Sequence, residues 1–294
     1  MNRTKDPLLL LASLSWHNIH LKPANFLTLL KKYKKYQFSI ADTWKYLPSH
    51  LQERLKVKPH WWKDSIEQLT WSIKQNIQFT YPGHHHYPCS LIRDLNYSPL
   101  LSYIGKPLNQ ETSPLLAVVG SRKPSIDSLN WMDATLGPVI KQNHINCISG
   151  GAQGIDQHSH QISIRNNTPT IAVIPTGFKN IYPHSFQSYI KAIEKSGGSI
   201  VSLFSPNMPL FKYNFHKRNW LIASLSTHVL MIVGQKKSGS LLTASLGLQL
   251  NKEVGTIPQA PWSVFSGNIE LIKQGSQILS TKDDLSTWLK FSSH

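Results

Sequence analysis

The sequence predicts an α/β fold: a doubly wound, mainly parallel sheet preceded by a small all-helical region. Six short apolar runs follow one another from residue 115 onward: "LLAVVG", "INCIS", "TIAVIP", "SIVSLF", "HVLMIVG" and "EVGTIP". Most neighbouring runs are separated by enough chain for a helix, and strands alternating with helices make a parallel sheet with right-handed crossovers. Before residue 80 the apolar residues recur instead at helical spacing.

Taken in order, the opening "MNRTKDPLLLLASLSWHN" places basic residues before a short apolar run, as a secretory leader does. Asp6 and Pro7 interrupt that pattern and no small-x-small cleavage site follows, so an amphipathic first helix is the better reading. Helical stripes follow at Phe26, Leu27, Leu29, Leu30 and Tyr33, and again at Trp61, Trp62, Ile66, Leu69 and Ile73. Between them "ADTWKYLPSHLQERL" offers a helix broken at Pro48-Ser49. Residues 1–80 are therefore expected to form a helical domain. Residues 81–107 are rich in turn formers and gain a strand-like "LLSYIG", which predicts a linker docked on the α/β domain of residues 108–294. No run approaches the roughly 18 apolar residues that span a bilayer.

Thirty-one Lys and Arg stand against 15 Asp and Glu, a formal charge of +16 with a pI of about 9.8. That balance favours a polyanionic partner, nucleic acid ahead of an anionic membrane surface. Cys89 and Cys147 are too few for a disulfide framework and form no CxxC pair, which fits a reducing, cytosolic setting. The "HHH" at 84–86 has no carboxylate or cysteine cluster beside it to complete a metal site, and a solvated loop accounts for it. Tyr81, Tyr87, Tyr97 and Tyr103 can stack bases, but docking the linker is the plainer use.

Ligands of open α/β sheets bind outside the carboxyl ends of the strands. The segments found there are "GSRKPS", "GGAQGID", "TGFKNIYPH", "SPNMPLFKYNFHKRN", "GQKKSGS" and "PQAP". Gly150, Gly151 and Gly154 sit where a strand hands over to a helix, which suits close approach of a backbone or a phosphate. Arg122 follows Gly120 and Ser121 directly after the first strand, where amides and a guanidinium together can hold a phosphate. Alone, a solvated arginine explains that triplet better. Ser238, Gly239 and Ser240 precede a helix whose N-terminal amides suit an anion, and ordinary serine capping explains them equally well. Lys217 and Arg218 read as lying at a helix start, where the dipole disfavours cations unless an anion is near. Asp156 is explained by the first turn of its helix, and His158 and His160, two apart, face different ways.

Together, "AVVGSR", "SGGAQGID", "TIAVIPTGFKNIYP", "FHKRN", "SGSLLTA" and "EVGTIP", in this order, resemble the DNA processing protein A family (DprA, also called Smf). The resemblance covers nearly the whole chain. It implies a sterile-alpha-motif-like N-terminal domain, an extended Rossmann-like domain and a cytoplasmic homodimer whose dimer face lies on the latter. It also implies single-stranded DNA binding and loading of the RecA recombinase in natural transformation, without catalysis. By position, Arg122 becomes the principal phosphate contact and Gly150, Gly151 and Gly154 the loop floor. Lys217, Arg218 and Asn219 join Ser240 on the pocket rim. With sugar-phosphate backbone in that pocket, bases are expected to stack on nearby rings such as Phe178, Tyr182 or Phe215. Departures are Gln153 and Trp220 where relatives carry arginine, and His184 where many carry a basic residue, with Lys179, Lys236 and Lys237 as compensating cations. The family's early "GxG" turn reads "HNIH" at 17–20. Many relatives add a C-terminal winged helix, for which the roughly 34 residues after Ala260 leave no room.

The rival reading is a Rossmann-like nucleotide-processing enzyme of the nucleoside monophosphate phosphoribohydrolase type, but the chain lacks the "PGGxGTxxE" string. A dehydrogenase is excluded by the absence of GxGxxG after the first strand. No cofactor is implied.

Overall fold

A computed structural model describes residues 61–92, 100–108 and 114–290, together with residues 12, 14–16, 25, 27–29, 31, 32, 49, 52 and 53. Most of the helical reading before residue 61, the "HNIH" turn, Tyr97 and the side chains of Trp61 and Trp62 lie outside the described residues. No helix among those described is long and apolar enough to cross a membrane.

All six apolar runs become strands. They are β3 (Leu115–Val119), β4 (Asn146–Ser149), β5 (Thr170–Val173), β6 (Ser199–Ser202), β7 (His228–Met231) and β8 (Glu253–Thr256). Two strands precede them, β1 (Gln78–Thr80) and β2 (Leu101–Gly105), and β9 (Gln277–Ile278) follows. The nine form one sheet in the order β1-β2-β6-β5-β4-β3-β7-β8-β9. From β6 to β9 every pairing is parallel. The segment read as a linker adds β2 antiparallel to β6, with Ser102 opposite Ser202, and β1 pairs antiparallel with β2.

The helices are α1 (Trp61–Lys74), α2 (Ile126–Trp131), α3 (Gly137–Gln142), α4 (Ile155–Arg165), α5 (Ile190–Lys195), α6 (Lys212–Leu225), α7 (Gly239–Gln249), α8 (Gly267–Lys273) and α9 (Lys282–Lys290). A π-helical turn, Met132–Leu136, joins α2 to α3. Successive strand residues serve opposite faces. Ala117 and Val119 of β3 and Val229 and Met231 of β7 pack with Trp220 and Leu221 of α6 and Ala244 of α7. Leu116, Val118 and Leu230 face Met132, Val139 of α3, Ile155 and Ile162 of α4, and Trp288 of α9. Both faces are covered, which is why β5, β6 and β7 are buried at every residue.

Two expectations are corrected in detail. Ile73, counted in the core stripe of α1, is 56% exposed, whereas Leu69 of the same stripe is buried. Lys217 and Arg218 do not begin a helix: α6 starts at Lys212, so both sit in its second turn and the dipole argument made for them fails.

Candidate functional site

The sheet's chain order reverses between β3 and β7. β3 pairs with β4 on one side and with β7 on the other, so the crossovers leaving these strands run to opposite faces. At such a switch point the loops part and leave a crevice. Here it is a cleft of about 490 Å³, lined by the loop after β3, the loop after β7, α6, the N-terminal end of α7 and the 264–265 segment.

The loop after β3 is clamped on three sides. Ser121 N–H donates to the Val233 carbonyl at 2.7 Å, and the Ser121 carbonyl accepts from Ile155 N–H at 3.2 Å. Gly154, at φ +81°, lies so close that an added Cβ would stand 2.4 Å from the Ser121 carbonyl oxygen. Only glycine meets both demands. The clamp fixes the origin of the exposed Arg122, whose guanidinium stands 5.4 Å from the centre of the Phe215 ring. Arg218 stands over the same ring at 5.8 Å. One aromatic ring thus lies under two guanidinium groups.

Arg218 is 6% exposed, an arginine placed inside the protein. Its Nη1 donates to Asp156 Oδ2 at 3.3 Å, and its buried Nε has no hydrogen-bond partner among the described residues. Burial pulls the guanidinium down from its ordinary value, Asp156 opposes that pull, and the charge of Arg122 adds a little to it. Guanidinium nevertheless stays protonated in proteins. Burial pushes the Asp156 carboxyl above the usual range, with Arg218 opposing. Arg218 is thus paired with the carboxylate, and the exposed Arg122 beside it lines the cleft as a second guanidinium.

Across the cleft Ser238 caps α7, its Oγ accepting from Leu241 N–H at 3.2 Å and lying 2.9 Å from Ser240 Oγ. Asn219 Nδ2 donates to the Gly239 carbonyl at 3.2 Å and ties α6 to that turn. The N-terminal end of α7 adds partial positive charge to the same wall. Guanidinium groups, hydroxyls and a helix terminus converging on one crevice have the chemistry that suits an anion.

Of the residues singled out in the sequence, Gly120, Ser121, Arg122, Arg218, Asn219, Ser238, Gly239 and Ser240 line this cleft together. Gly150, Gly151 and Gly154 do not: each makes room for the protein's own groups. An added Cβ on Gly150 would fall 1.7 Å from Arg218 Nη1, and one on Gly151 would fall 2.9 Å from the Phe186 ring. Lys217 lies over the Tyr213 ring at 5.8 Å, with its ammonium pulled down by burial. Lys179 lies over Trp71 at 4.8 Å, outside the cleft lining. Tyr182 is 37% exposed and meets Phe215 edge-on at 6.3 Å, and His184 is exposed. Phe178, expected to stack a base, is buried in the core and cannot. Trp220 is buried and is not among the residues lining the cleft. Tyr87 and Tyr103 are buried. His84, His85 and His86 bring three ligand atoms within 4.8 Å of one another. Lys123, Gln235, Thr243, Val264 and Phe265 also line the cleft. The signal for the first two was their place just after β3 and β7.

Residues 78–290 match the family model of the DNA recombination-mediator protein A. The chain belongs to that family. Protein Smf of Escherichia coli is 31% identical over 234 residues, 79% of this chain and 62% of its own length. The chain thus spans about three-fifths of that relative's length, and 54% of the length of Smf from Synechocystis. DNA processing protein A of Streptococcus pneumoniae superposes with a TM-score of 0.72 over 96% of this chain and 97% of its own, at 24% identity, and establishes the family fold. The protein of the same name from Helicobacter pylori, whose structure concerns its single-stranded DNA binding mode, superposes with a TM-score of 0.64 at 25% identity. It covers 74% of this chain and 98% of its own.

Proposed function

We propose that this chain binds single-stranded DNA non-enzymatically, with the sugar-phosphate backbone in the switch-point cleft. The carrying observation is the pair Arg122 and Arg218 around Phe215. The guanidinium groups serve phosphate oxygens, the ring serves a base, and Ser238, Ser240 and the start of α7 serve the adjoining phosphate. Phosphate contacts position a strand without reading it, so sequence preference is slight. The Helicobacter pylori relative supports the ligand. Asp156, the one carboxylate among the described lining residues, is buried and engaged by Arg218. Protection of incoming DNA, loading of RecA, homodimerisation and cytoplasmic location rest on the family resemblance.

The test is an anisotropy titration of single- and double-stranded oligonucleotides with the wild type and Arg122→Ala. A single strand should bind more tightly than duplex. Loss of a charge-assisted hydrogen bond, worth roughly 1.5–3 kcal/mol, should weaken the variant about ten- to a hundredfold. Its slope of log K against log salt should be shallower by about 0.7. A folded Arg122→Ala with unchanged affinity and slope would remove the cleft from the reading. Sedimentation at micromolar concentration and capture of purified RecA test the assembly.

A further inference from the structure

Exposed aromatic surface gathers beside the cleft. Phe211 and Tyr213 are each 46% exposed. Their rings stack on one another, with centroids 5.6 Å and planes 12° apart. They stand at the start of α6, the helix whose Phe215, Arg218 and Asn219 line the cleft. Two flat rings half in water forgo the burial that aromatic side chains normally supply, which marks a face built for a ligand. Cations alternate with these rings. Lys212 falls between them in sequence and is exposed, Lys217 lies over Tyr213, and Arg122 and Arg218 lie over Phe215. Tyr213 and Arg218 are separated by about 7.5 Å along α6 at 1.5 Å per residue. That is about two base steps of 3.4 Å.

We propose that Phe211 and Tyr213 form a second subsite, a base-stacking platform for the nucleotides that adjoin the cleft, with Lys217 beside the connecting phosphate. This rests on the reading of the cleft as a strand-binding site. Rings interleaved with cations are what a single strand needs, because every base has a π-face and every link a charge. A second copy of the chain is the competing occupant of an apolar face. Lys212 and Lys217 stand among these rings, so this face attracts a polyanion, whereas a self-contact here would set like charges against each other.

The experiment compares a thymidine oligonucleotide with an abasic oligonucleotide of the same length, binding to the wild type, F211A/Y213A and Arg122→Ala. The ring variant should lose roughly fivefold to a hundredfold on the thymidine strand, the worth of a stacked base. It should bind the abasic strand as the wild type does, and F211Y/Y213F, which keeps both rings, should restore the thymidine affinity. Equal losses on both strands, or no loss on either, would overturn the platform. So would a ring variant that dissociates from dimer to monomer in sedimentation while its strand affinity holds, since the rings would then join two copies. If Arg122→Ala loses binding and the ring variant does not, the platform fails while the cleft reading stands. If Arg122→Ala binds both strands unchanged, the cleft reading fails and the platform falls with it.

Discussion

Gly154 shows how one missing side chain builds the site. Its φ of +81° is strained for any other residue, and its Cα abuts the Ser121 and Arg122 backbone, where an added Cβ would stand 2.4–2.8 Å from main-chain atoms that cannot swing aside. Gly154→Ala should therefore cost more than the 1–3 kcal/mol typical of backbone strain and should displace Arg122. Gly275 separates the two causes, for its φ is +90° but nothing lies within 4 Å of an added Cβ. Gly275→Ala should pay the dihedral cost alone. Thermal melts of both variants, with strand affinity measured below the transition, check this. Equal losses of stability would mean that the contact with Ser121 carries no energy. The glycine string was legible in the sequence as a demand for close approach, but what approaches was not. Gly150 meets Arg218 from 68 positions along the chain, a partner that exists only after folding. For the same reason the sequence offered Arg218 as a cation at a helix start on the pocket rim, but not its burial against Asp156.

At the scale of elements, α4 is pinned to the glycine loop by His160, which is fully buried. Its Nε2 lies 2.7 Å from the Gly150 carbonyl and donates there, and in the neutral ring Nδ1 accepts from Thr170 Oγ1 at 2.8 Å. Burial favours that neutral ring. Burial, helped by the charge of Arg218 and opposed by the Gly150 carbonyl, lowers its pKa to about 4. Above the unfolded value of about 6.5 neither state is protonated and the contribution to stability is whole. Between about 6.5 and 4 the unfolded chain takes a proton that the folded chain refuses, so stability falls with pH, by about 3 kcal/mol in total. His160→Gln can keep a donor and an acceptor without titrating, and its urea midpoint should change less than that of the wild type across this window. Parallel curves would show that His160 does not titrate on unfolding. The six central strands were legible because burial on both faces writes them as continuous apolar runs. β1 and β9, three and two residues long, carry too little pattern to be seen. The position of the cleft follows from strand order, which no local pattern records. The start of α6 was missed because "PLFKYNF" mixes proline, rings and charge without a helical stripe.

For the whole molecule, the helical region and the sheet share an apolar interior. Leu69 of α1, Ile77 just before β1 and Phe79 of β1 belong to the same buried cluster as Ala172 of β5, Ile193 of α5 and Ile200 of β6. Lys179 covers Trp71, and Asn207 N–H donates to Gln68 Oε1 at 3.2 Å across the same boundary. The sheet crosses it too, since β6 pairs with β2 and β2 with β1. Removing residues 1–105 would take away α1, β1 and β2 at once, uncovering the β5–β6 core and leaving Ser199–Ser202 as an open edge. The full chain should accordingly melt in a single cooperative transition, and a chain beginning at residue 106 should melt at lower temperature and aggregate more readily. Every residue that lines the cleft lies between Val119 and Phe265, so the shortened chain should still bind a single strand below its own transition. Calorimetry of both chains, with strand titrations at low temperature, decides the matter. Two separate transitions in the full chain, or an unchanged melting temperature after the cut, would show that the N-terminal helices ride on the sheet without supporting it.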